Sequence, residues 1–128
     1  MGRLSSILRN ASDNSLIWFC PGCNHAHRIQ VGHGEGPRWT WNGNAERPTF
    51  SPSVSVRGIR DDMDEKTQAA YDVLGPNQLH SALDDPRFRS VCHSFVKDGQ
   101  MQMLDDCTHA LAGQTVPIPP WPDNYGGG

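Results

Sequence analysis

The sequence predicts a mainly β, small α+β domain: antiparallel hairpins stapled by a Cys/His zinc site, with one short helical insertion. Three observations predict it. Thirteen Gly and ten Pro in 128 residues favour short strands and turns over a helical bundle. Runs such as Val54-Ser55-Val56-Arg57 alternate apolar with polar, the period of a half-buried strand. All four Cys stand in motif-like places beside a His or another Cys.

Taken in order, residues 1–14 read as an N-terminal extension. Ser15-Leu16-Ile17-Trp18-Phe19 is apolar, branched or aromatic and reads as a buried strand running into Cys20. Cys20-Pro21-Gly22-Cys23 is a knuckle: Pro fixes one backbone angle, Gly permits the tight turn, and both sulfurs can face one ion. His27-Arg28-Ile29-Gln30-Val31 alternates and returns as the second strand of the hairpin. The dense glycines from Gly32 to Gly36 make a connection. Trp39-Thr40-Trp41 reads as a short strand, and Asn42-Gly43-Asn44 as a turn. The two prolines of Arg47-Pro48-Thr49-Phe50-Ser51-Pro52-Ser53 force an extended path and exclude a central strand. Val54 to Ile59 is a strand.

Residues 61–89 read as a helical insertion: Asp64 to Leu74 is helix-compatible, with acids in its first turn and Gly75-Pro76 as a stop. Val91 to Val96 and Gln100 to Leu104 are strands around Lys97-Asp98-Gly99, whose Asp-Gly pair is a strong hairpin signal. Asp105 to Gly113 is a turn closed by Gly113. The stapled domain thus spans 15–116. Residues 117–128 form a tail with Pro117, Pro119, Pro120 and Pro122, then Gly126 to Gly128; Trp121 is expected to fold back onto the domain.

Hydrophobic residues are 36% and charged residues 20%, so the core is thin and a metal or disulfide staple is expected. No hydrophobic run reaches the length of a membrane span, and the first residues lack a signal-peptide pattern. A cytoplasmic chain with reduced, metal-bound Cys follows. A formal net charge of −3 with eleven scattered Lys and Arg argues against nucleic acid as the main partner.

The metal reading places Cys20, Cys23, Cys92 and Cys107 around one zinc ion, with His93 and His109 as replacements or seeds of a second site. In a strand Cys92 and His93 point to opposite faces, so the two do not readily share an ion. An open catalytic zinc needs a carboxylate to take a proton from bound water. His93, His109 and Asp106 are the candidate ligands and Glu46 the candidate base. Against these roles, Glu46 reads as a solvated turn residue and Asp106 as a cap. Ser53 and Ser94 are candidate nucleophiles paired with His93 or His109, without a G-x-S-x-G elbow to single them out.

Five motifs, in order, resemble one family. They are Trp18-Phe19-Cys20-Pro21-Gly22-Cys23 with His27, Trp41-Asn42-Gly43, Arg47 to Ser53, Cys92-His93-Ser94-Phe95-Val96, and Asp106 to Gln114. The family comprises small phage and prophage proteins of unassigned function, often mislabelled as an ammonia monooxygenase. It is distantly similar to a zinc peptidase domain found beside bacterial ubiquitin-like conjugation genes. The resemblance implies mobile-element origin, a location in the host cytoplasm or the virion, and a zinc-dependent peptidase role.

Two functions follow as expectations. One is a small zinc-dependent hydrolase acting on peptides, with His93, His109, Glu46 and Asp106 at the chemical site. The other is a non-catalytic zinc module that binds a host or virion protein.

Overall fold

In the computed structural model, residues 2–60, 62–74 and 81–122 are described. The expected Gly75-Pro76 stop and the Gly126–Gly128 end lie outside the described residues. The fold is mainly β, as expected. Strands β1 (Gly2–Arg3), β2 (Arg9–Ala11), β3 (Ser15–Cys20) and β4 (His25–Gln30) form one antiparallel sheet in that order. A second sheet, ordered β10-β9-β8-β7, contains β7 (Val54–Ile59), β8 (Arg89–Lys97), β9 (Gln100–Met103) and β10 (Thr115–Pro117). Between them in sequence, β5 (Thr40–Trp41) and β6 (Phe50–Ser51) make a two-stranded pair. Residues 2–11 thus extend the first sheet as two further strands.

The two four-stranded sheets share one core. From the first come Leu16, Trp18, Cys20 and Ile29, and from the second Val54, Cys92, Val96, Met101 and Met103. Trp18 is fully buried and stacks on Phe50, with ring centroids 5.2 Å apart. Strand β3 is buried along its whole length because its other face is covered too. Ile17 and Phe19 pack with Trp121, whose amide donates to the Ser6 carbonyl at 3.2 Å. A strand wet on neither face reads as a continuous apolar run, and Leu16 to Phe19 is one.

Local chemistry explains the joints. At the β8–β9 hairpin, Asp98 (φ 51°) and Gly99 (φ 76°) both occupy the left-handed region, the geometry that matches the twist of flanking strands. Helix α1 (Glu65–Asp72) starts at Asp64, whose carboxylate accepts the Thr67 amide at 2.7 Å. None of its residues is buried; its Tyr71 packs against the buried Phe88 at the end of the same insertion, with centroids 5.6 Å apart, and the Phe88 carbonyl accepts the Arg60 amide at 2.7 Å.

Candidate functional site

Strand β8 organises two constellations, one on each face. Its pairing with β7 sets Cys92 opposite Val56 and His93 opposite Ser55. Successive side chains alternate across a sheet, so the thiol and the imidazole point apart.

On the Cys92 side, Cys20, Cys23, Cys92 and His109 place one ligand atom each within 4.8 Å of one another. Cys20 Sγ lies 3.8 Å from Cys92 Sγ, and His109 Nε2 lies 3.4 Å from Cys92 Sγ. Two sulfurs each about 2.3 Å from a tetrahedral ion stand about 3.8 Å apart, and a sulfur–nitrogen pair slightly closer. The donor set therefore fits a soft divalent metal, and these four residues could hold a metal ion.

The thiols already lean towards metal-ligand chemistry. Hydrogen bonds from Cys23 and then Cys92 hold the Cys20 thiol far below its ordinary pKa, and the adjacent His27 acts in the same sense. The same sharing pushes Cys23 up to about 12 and raises Cys92, chiefly because each holds its proton towards the Cys20 sulfur. One thiolate forms readily and further ones crowd negative charge together, a cost that a bound cation removes.

The ligand group differs in one member from the expected Cys20, Cys23, Cys92 and Cys107. His109 stands in it and Cys107 outside. The loop after β9 is latched along β8: the Thr108 amide donates to the Val91 carbonyl at 2.9 Å, and the Val91 amide to Thr108 Oγ1 at 3.0 Å. From that latch Cys107 turns to the His93 backbone. The His93 amide donates to Cys107 Sγ, and the thiol to the His93 carbonyl, both at 3.2 Å. His109, two residues on, reaches Cys92.

Gly22 has a role that turn geometry did not suggest. Its φ is not in the left-handed region, but a Cβ there would run into the His109 ring. The glycine makes room for the His109 ring beside the three thiols. Gly22→Ala is expected to weaken metal binding by about 10- to 100-fold, as losses in a supporting shell do. Competition with a chromophoric chelator measures it, and unchanged affinity would show that His109 is not a ligand.

On the opposite face, Ser53 Oγ lies 3.0 Å from His93 Nε2, and His93 Nδ1 lies 3.1 Å from Asp106 Oδ2. A carboxylate only accepts, so Nδ1 carries the imidazole proton and donates it to Asp106. Nε2 is then left to accept from the Ser53 hydroxyl. This is a hydroxyl–imidazole–carboxylate relay with the geometry of a Ser-His-Asp triad.

Ser53 is held from several sides. Trp39 Nε1–H donates to its carbonyl at 3.2 Å, and Val54 enters the sheet opposite Ser94. Upstream, the Pro48 carbonyl accepts the Gly99 amide at 2.9 Å and Thr49 Oγ1 accepts the Asp98 amide at 2.9 Å. His93 is partly covered and Asp106 is 59% exposed, so the carboxylate orients the ring from the surface.

Ser94, facing Val54, is buried. Glu46 is an exposed residue of the turn before β6, its amide bonded to Asn44 Oδ1 at 3.0 Å, and no hydrogen bond among the described residues joins its carboxylate to His93. The expected pair of His93 and His109 is divided between the two faces of β8. Ser53 was the residue hardest to single out, because its signal is the pairing of the Pro48 to Ser53 segment with a His forty residues on.

A family of bacterial ubiquitination-like system serine proteases, BubE, matches residues 2–104. The chain belongs to this family. The match covers most of the chain, including Ser53 and His93. Neither the curated proteins nor the solved structures yielded a match. Among the described residues no helix is long and apolar enough to cross a membrane.

Proposed function

We propose that the chain is a serine peptidase in which Ser53 is the nucleophile, His93 the general base and acid, and Asp106 the group that orients His93. The observation that carries this reading is the 3.0 Å and 3.1 Å relay through the two nitrogens of His93. Membership of a family described as serine proteases supports it, and the ubiquitination-like system in that description suggests a protein-conjugation setting for the substrate.

The chemistry follows from the relay. Ser53 Oγ attacks a peptide carbonyl carbon while its proton passes to His93 Nε2. The imidazolium, steadied by Asp106, then protonates the leaving amine as the C–N bond breaks, leaving an acyl ester on Ser53. Water, giving its proton to the same Nε2, hydrolyses that ester and restores the hydroxyl.

Zinc is the proposed metal, held by Cys20, Cys23, Cys92 and His109. Four protein ligands of these types make a closed, structural site, with no position left for a reacting water. Bound there, zinc supplies cross-linking: it ties the knuckle after β3 to β8 and to the loop carrying Asp106. The peptidase expectation is kept, while the proton-transfer work moves from a zinc-bound water to Ser53 and His93. His109 becomes a structural ligand.

The experiment is peptide cleavage under two inhibitors. A fluorophosphonate is expected to abolish activity, whereas brief exposure to 1,10-phenanthroline leaves it intact while the ion stays bound. The reverse pattern would restore a catalytic zinc. Asp106→Asn is expected to lower kcat by about 10²- to 10⁴-fold, with little change in KM, because the ring loses the partner that fixes its tautomer. An unchanged kcat would show that Asp106 does not orient His93.

A further inference from the structure

A peptidase must also align the segment it cleaves, and the second sheet offers a means next to Ser53. Strand β7 is the last in the order β10-β9-β8-β7, and no strand among the described residues pairs with its outer side. It begins one residue after Ser53.

The register shows which backbone groups are free. Ile59 pairs with Arg89, so Arg60 faces Phe88, and the Arg60 amide donates to the Phe88 carbonyl at 2.7 Å. Antiparallel pairs alternate between bonded and non-bonded types. Val54, Val56 and Gly58 therefore exchange their bonds with β8, while the amides and carbonyls of Ser55, Arg57 and Ile59 point outward. The far side of β8 agrees with this parity: the Val91 and His93 carbonyls accept from Thr108 and Leu104 amides.

We propose that this open edge is the substrate-binding strand. An extended peptide segment pairs with Ser55, Arg57 and Ile59, which brings its scissile carbonyl to Ser53. The inference rests on the serine-peptidase reading and adds the form of its substrate. Added strands gain affinity from main-chain bonds and specificity from alternate side chains. Along this edge, residues Val56 to Ile59 border a cavity of ≈ 230 Å³ whose lining also includes Cys23, Cys92 and His109 of the Cys/His cluster. By strand alternation the Arg57 side chain shares a face with Ser55 and His93; Arg57 is exposed and has no ion-pair partner among the described residues. The directly opposite side chain of an added strand stands about 5 Å away, so Arg57 selects a carboxylate there.

A solitary Arg on an edge strand also has a plainer role, as a charge that discourages edge-to-edge association. The test separates the two. A randomised octapeptide library is digested with wild-type protein and with Arg57→Glu, and the products are sequenced by mass spectrometry. The wild type is expected to favour Asp or Glu at one position. Arg57→Glu, which keeps an edge charge, is expected to favour Lys or Arg at that same position.

The best-cleaved peptide is then N-methylated one amide at a time. Alternate amides are expected to lose about fivefold in kcat/KM, the intervening ones little, because each lost charge-free hydrogen bond is worth about 1 kcal/mol. Uniform tolerance of N-methylation, or identical preferences in the two proteins, would overturn the proposal and leave the peptidase reading standing. Fluorophosphonate labelling of Ser53 without cleavage of any peptide would also overturn it. Absence of both labelling and cleavage would remove the peptidase reading itself, and this inference with it.

Discussion

Ser53→Ala is expected to abolish peptide cleavage, with kcat falling by about 10⁴-fold or more, while the folded structure and metal content stay as in the wild type. The magnitude follows from the role. Groups in a relay act as a unit, so losing the nucleophile costs about as much as losing the whole set. His93→Ala should give a similar loss, and the double variant no further loss. Structural change should be small because the Ser53 side chain is half-buried and its hydroxyl bonds to His93, whereas its carbonyl, held by Trp39, is untouched. Near-ultraviolet circular dichroism and metal analysis check the fold. Retained cleavage in Ser53→Ala would sink the assignment.

The second large effect is on stability. Stripping the proposed zinc is expected to unfold the domain, and Cys20→Ser to prevent its folding. Domains of this kind are stable by only about 5–15 kcal/mol, while structural zinc contributes about 10–16 kcal/mol of apparent folding free energy. The ion outweighs the margin that a thin core leaves. The ligand set makes the test selective: His109→Ala should release metal and destabilise the protein, whereas Cys107→Ser should keep the ion, because that thiol bonds to the His93 backbone. A stripped protein with an unchanged melting temperature would contradict the staple.

Acid should act in the same direction as chelation. Binding requires thiolates, and in the metal-free group Cys23 is raised to about 12 and Cys92 is raised as well, so protons leave as the ion enters. Affinity therefore falls as pH falls, with more than one proton exchanged per ion. Titration against a competing chelator at pH 8 and pH 6 reads the slope. A flat dependence would mean that the thiols are not the ligands.

Much of the fold was legible because the signals were local. Alternation placed β7, the Asp98-Gly99 pair placed the β8–β9 hairpin, and the unbroken apolar run of β3 marked a strand buried on both faces. The opposition of Cys92 and His93 was legible too, since period two alone divides them. Which residue joined Cys20, Cys23 and Cys92 was not legible. Choosing between Cys107 and His109 depends on Thr108 latching to Val91, a contact between segments seventeen residues apart. Ser53 stayed indistinct for the same reason. Nothing in Pro52-Ser53-Val54 resembles a nucleophile elbow. Its partner comes from a neighbouring strand reached only after the helical insertion, and the register that brings the two together is a property of the sheet.

Intact-protein mass spectrometry with peptide mapping after fluorophosphonate treatment reports whether Ser53, activated by His93, is the reacting group. A single adduct is expected, on Ser53, formed by wild-type protein and lost in His93→Ala while metal content is unchanged. Folded, metal-loaded wild-type protein that acquires no adduct, or acquires it on another serine, would contradict it.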